Sequence, residues 1–296
     1  DEGRDRAAGR YLPAFARALA IGVDTLELDM VVTADEMLVV GHDPELNPAI
    51  TRDATGRWIE APRPILGTRL AELRRYDVGR LRPGTRYAAQ YPTQVPADGT
   101  SIPTLAEVAA LLRERGAATV RLNVETKLSP LRPELAPVPA RFAELLVAEL
   151  ERLGLAERAT VQSFDWRTLR AVQERAPAIP TVCLTAEQRW LDNLQRGRSG
   201  ASPWLAGLDA DAHGTVPALV QAAGCRVWSP WFEDLRAGDL ADAHGRGLRV
   251  IVWTVNEPPV MERLIEQGVD GIITDYPDRL RAVMAGLGLA LPPPYP

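Results

Sequence analysis

Short apolar runs alternate with amphipathic stretches along almost the whole chain. "YLPAFARALAIG" reads as a helix, with Pro13 near its start and Gly22 just past its end. "VDTLELDMVVT" and "MLVVGHD" read as two strands separated by the turn-like "ADE". Beyond them the helical segments "TLAEVAALLRERG", "ARFAELLVAELERLG", "DWRTLRAVQERA", "VPALVQAAG", "LADAHGRG" and "VMERLIEQG" interleave with strand-like runs. Those runs are "TVRLNVETKL", "ATVQSF", "TVCLT", "RVWSPW", "RVIVWTVN" and "GIITDY". Strands that alternate with helices imply a parallel sheet. This many units in 296 residues favours a (β/α)8 TIM-type barrel over its runner-up, a doubly wound open sheet. From Pro44 to Ser101 the chain is rich in Pro, Gly and Arg, and residues 44–101 read as an insertion after the second strand region. Residues 1–296 are therefore expected to form one barrel domain, with no internal repeat.

The polar positions within these strands are unusual. Alternation turns Thr25, Glu27 and Asp29 to one face while Leu26, Leu28 and Met30 take the other. His42 and Asp43 end the next strand, and in "VRLNVETKL" Asn123, Glu125 and Lys127 share the inward face. In a barrel the reactive groups collect at the C-terminal ends of the strands, so three carboxylates and a lysine are expected to converge there. Gathered in one pocket, the acids would repel one another and raise one another's pKa. A divalent cation removes that conflict. All-oxygen ligation suits Ca²⁺ or Mg²⁺, whereas Zn²⁺ normally recruits more His or Cys. Lys127 beside such a centre suits an anionic substrate, most naturally a phosphate.

Any one acid at a strand end is more often a rim charge or a helix cap, so the joint pattern carries this inference. His213 and His244 read as surface or capping residues, and Trp253 as core or as the wall of a pocket for a glycerol-like group. A glycosidase would also use paired carboxylates. Glu27 and Asp29, one strand repeat apart, lie side by side and do not flank a scissile bond.

Net charge and cysteine content narrow the classes. A charge of −5, with 34 Lys and Arg dispersed through the chain, excludes a basic stripe for nucleic acid. Cys183 and Cys225 sit in apolar contexts that read as buried thiols in preference to a disulfide framework or a Zn site. No apolar run is long enough to span a bilayer, and the opening "DEGRDRAAGR" is not a signal peptide. The compartment stays open between the cytoplasm and an exported protein whose signal has been removed.

The segments "LELDMVVTADEMLVVGHDPEL", "IPTLAEV", "LNVETK", "QSFD", "VIVWTVN" and "GIITDYPD" occur in the order found in the glycerophosphodiester phosphodiesterase family, which the chain resembles from Leu26 to Asp278. The resemblance implies a (β/α)8 barrel and hydrolysis of glycerophosphodiesters such as glycerophosphocholine to glycerol 3-phosphate and an alcohol. It implies metal ligation by Glu27, Asp29 and Glu125, with Ca²⁺ or Mg²⁺ as the ion. It also implies His42 as a catalytic histidine, Lys127 as a phosphate contact and Trp253 as a wall of the substrate pocket. The family opens on an apolar strand ending in His-Arg-Gly. No histidine precedes His42 and no apolar run precedes Tyr11, so the first barrel strand and a second catalytic histidine are expected to be absent here. Arg4 and Arg6 could stand for the arginine, but neither replaces an imidazole that gains and loses a proton near neutral pH. A non-catalytic binder of glycerophosphodiesters or lipid head groups is the alternative function.

Overall fold

The structure, a computed structural model, describes residues 11–92, 94–198 and 200–296. The chain begins with α1 (Leu12–Ile21), β1 (Thr25–Val32) and β2 (Leu38–Val40). Within the expected insertion lie β3 (Glu45–Leu46), β4 (Arg63–Pro64), α2 (Leu70–Leu73) and α3 (Arg86–Gln90). Then come α4 (Leu105–Glu114), β5 (Arg121–Thr126), α5 (Pro139–Arg152), β6 (Ala159–Ser163), α6 (Trp166–Arg175) and β7 (Thr181–Thr185). The remainder is α7 (Val216–Ala222), β8 (Val227–Pro230), α8 (Asp239–Gly245), β9 (Arg249–Val252), α9 (Pro258–Gln267), β10 (Gly271–Ile272) and α10 (Pro277–Gly286).

Local chemistry places the ends of these elements. Thr104 and Glu107 close a reciprocal capping box on α4, in which the Thr104 hydroxyl accepts from the Glu107 amide and the Glu107 carboxylate accepts from the Thr104 amide. Pro139 starts α5, where its missing N–H costs nothing, and Gly268 ends α9 at φ 93°, a left-handed turn that glycine adopts without penalty.

Eight strands form one curled sheet in the order β10-β9-β8-β7-β6-β5-β1-β2. Every pairing in it is parallel except the β1–β2 hairpin. Helices cover its outer face, as the (β/α)8 reading requires. The expected absence of a first barrel strand falls on the segment before Tyr11, outside the described residues. Among the described residues β10 and β2 are the edges of the sheet.

Outward-facing strand residues and the inner faces of the helices share one core. Leu26, Leu28, Leu122 and Val124 pack with Leu112 of α4 and with Phe142, Leu146 and Leu150 of α5. Full burial of each such side chain contributes about 1.5–3 kcal/mol relative to exposure. A second, smaller core explains how the insertion is held. Val31 and Val39 point away from the main core and pack with Leu46, Ile65, Leu73, Val78 and Ile102. The β1–β2 hairpin thus serves two cores with its two faces.

One sequence expectation is overturned: Cys183 and Cys225 form a disulfide, with Cα atoms 5.9 Å apart and 42 residues of sequence separation. The buried-thiol reading follows from each cysteine's own segment, which is merely apolar. The pairing of β7 with β8 brings Cys225, just before β8, beside Cys183 in β7. Closing a loop of this length restricts the unfolded chain and is worth about 2–4 kcal/mol. A Cys183→Ala/Cys225→Ala variant should therefore melt about 4–8 °C below the parent while keeping its far-UV circular dichroism. An unchanged Tm would mean that the bond contributes no stability.

Candidate active site

The site is built by the register of two parallel strands. β1 lies on β5 with Glu27 opposite Asn123 and Asp29 opposite Glu125. Their intervening residues Leu26, Leu28, Leu122 and Val124 are locked into the core, so a one-residue slip would carry the acids into the apolar layer. Carboxylate oxygens of Glu27, Asp29 and Glu125 consequently lie within 4.8 Å of one another. Asp29 and Glu125 are only 8% and 6% exposed.

Lys127, two residues beyond Glu125, places its Nζ 3.1 Å from Asp29 Oδ1 and 2.8 Å from Glu125 Oε1. Burial pushes the Glu125 carboxyl up to about 8, with Asp29 adding to the rise and Lys127 opposing it. Burial also raises Glu27 well above the usual carboxylate range, reinforced by Asp29 and Glu125. Burial works against the Lys127 ammonium, yet Asp29 and Glu125 outweigh it and hold its pKa above the ordinary lysine value. Ionised together, three acids and one ammonium carry a charge of about −2 in a partly desolvated pocket, which a divalent ion would neutralise. The donor set is all oxygen. The residues present therefore fit a hard divalent cation.

A hydrogen-bonded chain that sequence reasoning overlooked orients one of the acids. Gln162 Nε2 donates to Glu27 Oε1 at 2.7 Å. Gln162 Oε1 in turn accepts from Asn123 Nδ2 at 2.7 Å, and Asn123 Oδ1 accepts from the Thr160 hydroxyl at 2.8 Å. Gln162 and Asn123 are buried, so each amide is held in one orientation by its partners. Gln162 lies in "QSFD", and period-two alternation puts it on the same face as Thr160, which was the available signal. Of the 34 basic residues, Lys127 is also the only lysine.

His42, Lys127, Trp253 and the three acids all line one cavity of about 1350 Å³. His42 is nearly half exposed and its Nδ1 lies 2.9 Å from Asp43 Oδ1, while Asn47 Nδ2 donates to the other Asp43 oxygen. Trp253 directly follows β9 and donates its indole N–H to the Ser229 carbonyl at 2.9 Å. His213 and His244 do not line the cavity. His213 closes a short 3₁₀ turn, and His244 in the last turn of α8 pairs with Asp270 at 2.9 Å, as the surface reading expected.

Fold and cluster together define a β/α-barrel protein able to hold a divalent cation at the C-terminal ends of its strands. The sequence profile of the glycerophosphoryl diester phosphodiesterase family matches residues 6–279, and the chain belongs to that family of enzymes. Its sequence is 28% identical over 276 residues to the glycerophosphodiester phosphodiesterase of Caldanaerobacter subterraneus subsp. tengcongensis, spanning 91% of this chain and 89% of that one. Its fold is similar to a solved structure assigned to the same activity from Silicibacter pomeroyi DSS-3, with TM-score 0.84, 33% identity and coverage of 97% of this chain and 93% of that one. An Oleispira antarctica phosphodiesterase solved with its product sn-glycerol-3-phosphate shares the fold at TM-score 0.67 and 18% identity, over 96% of this chain and 95% of that one.

Two variants separate the roles of the supporting residues. Gln162→Leu should weaken Ca²⁺ or Mg²⁺ binding about 10- to 100-fold by freeing Glu27, as read from the metal dependence of Tm. Lys127→Met should destabilise the metal-free protein by about 3 kcal/mol, because it strands buried acids, and should enlarge the rise in Tm that added metal produces. Equal metal response in parent and Lys127→Met would show that the ammonium does not compensate the cluster.

Proposed function

We propose that the cavity hydrolyses glycerophosphodiesters to glycerol 3-phosphate and an alcohol, using Ca²⁺ or Mg²⁺ held by Glu27, Asp29 and Glu125. The observation that carries this reading is the convergence of three acids, one buried ammonium and one imidazole in a single cavity of a chain from this family. When bound, the ion would offset charge on the phosphoryl oxygens and lower the pKa of an attacking hydroxyl. It would also release Lys127 from the acids, leaving the ammonium to bind a phosphate oxygen. Asp43 orients the His42 ring through Nδ1, and the imidazole would exchange a proton with the nucleophile or the leaving oxygen. The glycerol group lies against Trp253. Residues 1–296 act as one barrel domain, with 44–101 as its insertion, on a small-molecule substrate. No helix among the described residues is long and apolar enough to cross a membrane.

The Cys183–Cys225 disulfide favours an oxidising compartment, hence an exported protein, over the cytoplasm. Among the described residues His42 is the only histidine in the cavity, which favours a non-catalytic binder as the second reading.

Release of glycerol 3-phosphate from glycerophosphocholine distinguishes the two. Turnover should require Ca²⁺ or Mg²⁺, stop with chelator, be lost in Glu125→Ala and fall about 10²- to 10⁴-fold in kcat in His42→Asn. Substrate binding and a metal-dependent Tm without turnover would sink the enzymatic reading and leave the binder.

A further inference from the structure

Displacement at phosphorus is fastest when one group takes the proton of the attacking hydroxyl and another protonates the leaving oxygen. Of the three histidines in the chain only His42 lines the cavity. The usual proton acceptor besides histidine is a carboxylate, and most carboxylates on the wall are already engaged or remote. Glu27, Asp29 and Glu125 form the cation cluster. Asp24 and Asp270 immediately precede β1 and β10, at the strand ends away from the cluster. Asp278 belongs to the first turn of α10. Asp275 remains. It follows β10, at the same end of the strands as the acids, and is exposed on the cavity wall.

Asn256, which follows β9, fixes this carboxylate. The Asp275 backbone N–H and the Thr274 hydroxyl donate to Asn256 Oδ1 at 3.0 and 3.1 Å. A backbone N–H can only donate, so the amide is held one way round and its Nδ2 donates to Asp275 Oδ2 at 2.9 Å. Arg279 Nη1 donates to the Asn256 carbonyl at 2.7 Å and steadies the anchor in turn. The other oxygen, Asp275 Oδ1, makes no hydrogen bond among the described residues. After burial, Asp29 and Glu125, the charge of Asp275 also raises the Glu27 carboxyl, so Asp275 lies within electrostatic reach of the cluster.

We infer that Asp275 is the proton acceptor for the attacking hydroxyl, paired with His42 as the proton donor to the leaving oxygen. The inference rests on the proposed reaction. As the hydroxyl oxygen bonds to phosphorus, its proton passes to Asp275 Oδ1. As the bond from phosphorus to the alcohol oxygen breaks, the His42 imidazolium gives its proton to that oxygen. Proton exchange with solvent then restores the carboxylate and the imidazolium. His42 follows β2 and Asp275 follows β10, the two edges of the sheet. Two groups arriving from different edges suit an in-line displacement, in which entering and leaving oxygens lie on opposite sides of phosphorus.

The test measures kcat and KM of Asp275→Asn and His42→Asn on glycerophosphocholine and on the 4-nitrophenyl ester of glycerol 3-phosphate, whose leaving group departs without a proton. Asp275→Asn should lower kcat about 10²- to 10⁴-fold on both compounds, with KM, Tm and the metal-induced rise in Tm unchanged. His42→Asn should lose as much on glycerophosphocholine but less than about tenfold on the nitrophenyl ester. Asp275→Glu, which keeps the carboxylate, should recover part of the loss. Asp275→Asn within about threefold of the parent overturns the assignment while leaving the proposed reaction standing. An Asp275→Asn loss that vanishes on the nitrophenyl ester overturns it by making Asp275 the donor. A loss accompanied by a weaker metal response overturns it by making Asp275 a ligand. If the parent hydrolyses neither compound, the reaction itself fails and the assignment falls with it.

Discussion

The structure depends on one juxtaposition, the parallel pairing of β1 with β5 that sets Asp29 opposite Glu125. That register is held from behind by Leu26, Leu28, Leu122 and Val124, which are fully apolar and nearly completely buried. The core thus stabilises an arrangement that is unfavourable on the opposite face, where acids are pressed together out of water. Conflict between the two faces is what fits the cluster to a divalent cation.

From this pairing the rest of the site follows outward. β6 lies on the far side of β5, and its Gln162 reaches back to Glu27 across Asn123. The β1–β2 hairpin turns the chain so that His42 reaches the same cavity, and its outer face carries the insertion through Val31 and Val39. At the other end of the sheet β8 and β9 are followed by Trp231 and Trp253, which give the cavity its apolar wall. One part of the cavity lining is therefore acidic and another aromatic.

Much of this was legible in the linear chain. Period-two alternation in "TLELDMVV" and "RLNVET" placed the three acids on inward faces, because side-chain direction in a strand is set by parity alone. His42 and Trp253 were found by their positions at strand ends. Gln162 carries no such mark, since one amide beside Thr160 and Ser163 looks like an ordinary polar strand residue until its partner is known. The two cysteines were misread because nothing local links positions 42 residues apart.

The sequence by itself determined which face each strand residue takes and where helices begin and end, since parity, capping and proline act over a few residues. Only the tertiary structure decided which faces meet. Strand order joined Cys183 to Cys225, the register set Asp29 against Glu125, and the loops after β7, β8 and β9 brought Trp190, Trp231 and Trp253 together. Those are contacts between distant segments. They form because burying the apolar faces of many strands and helices at once admits one close-packed arrangement, and the polar residues on the other faces are carried into place with it.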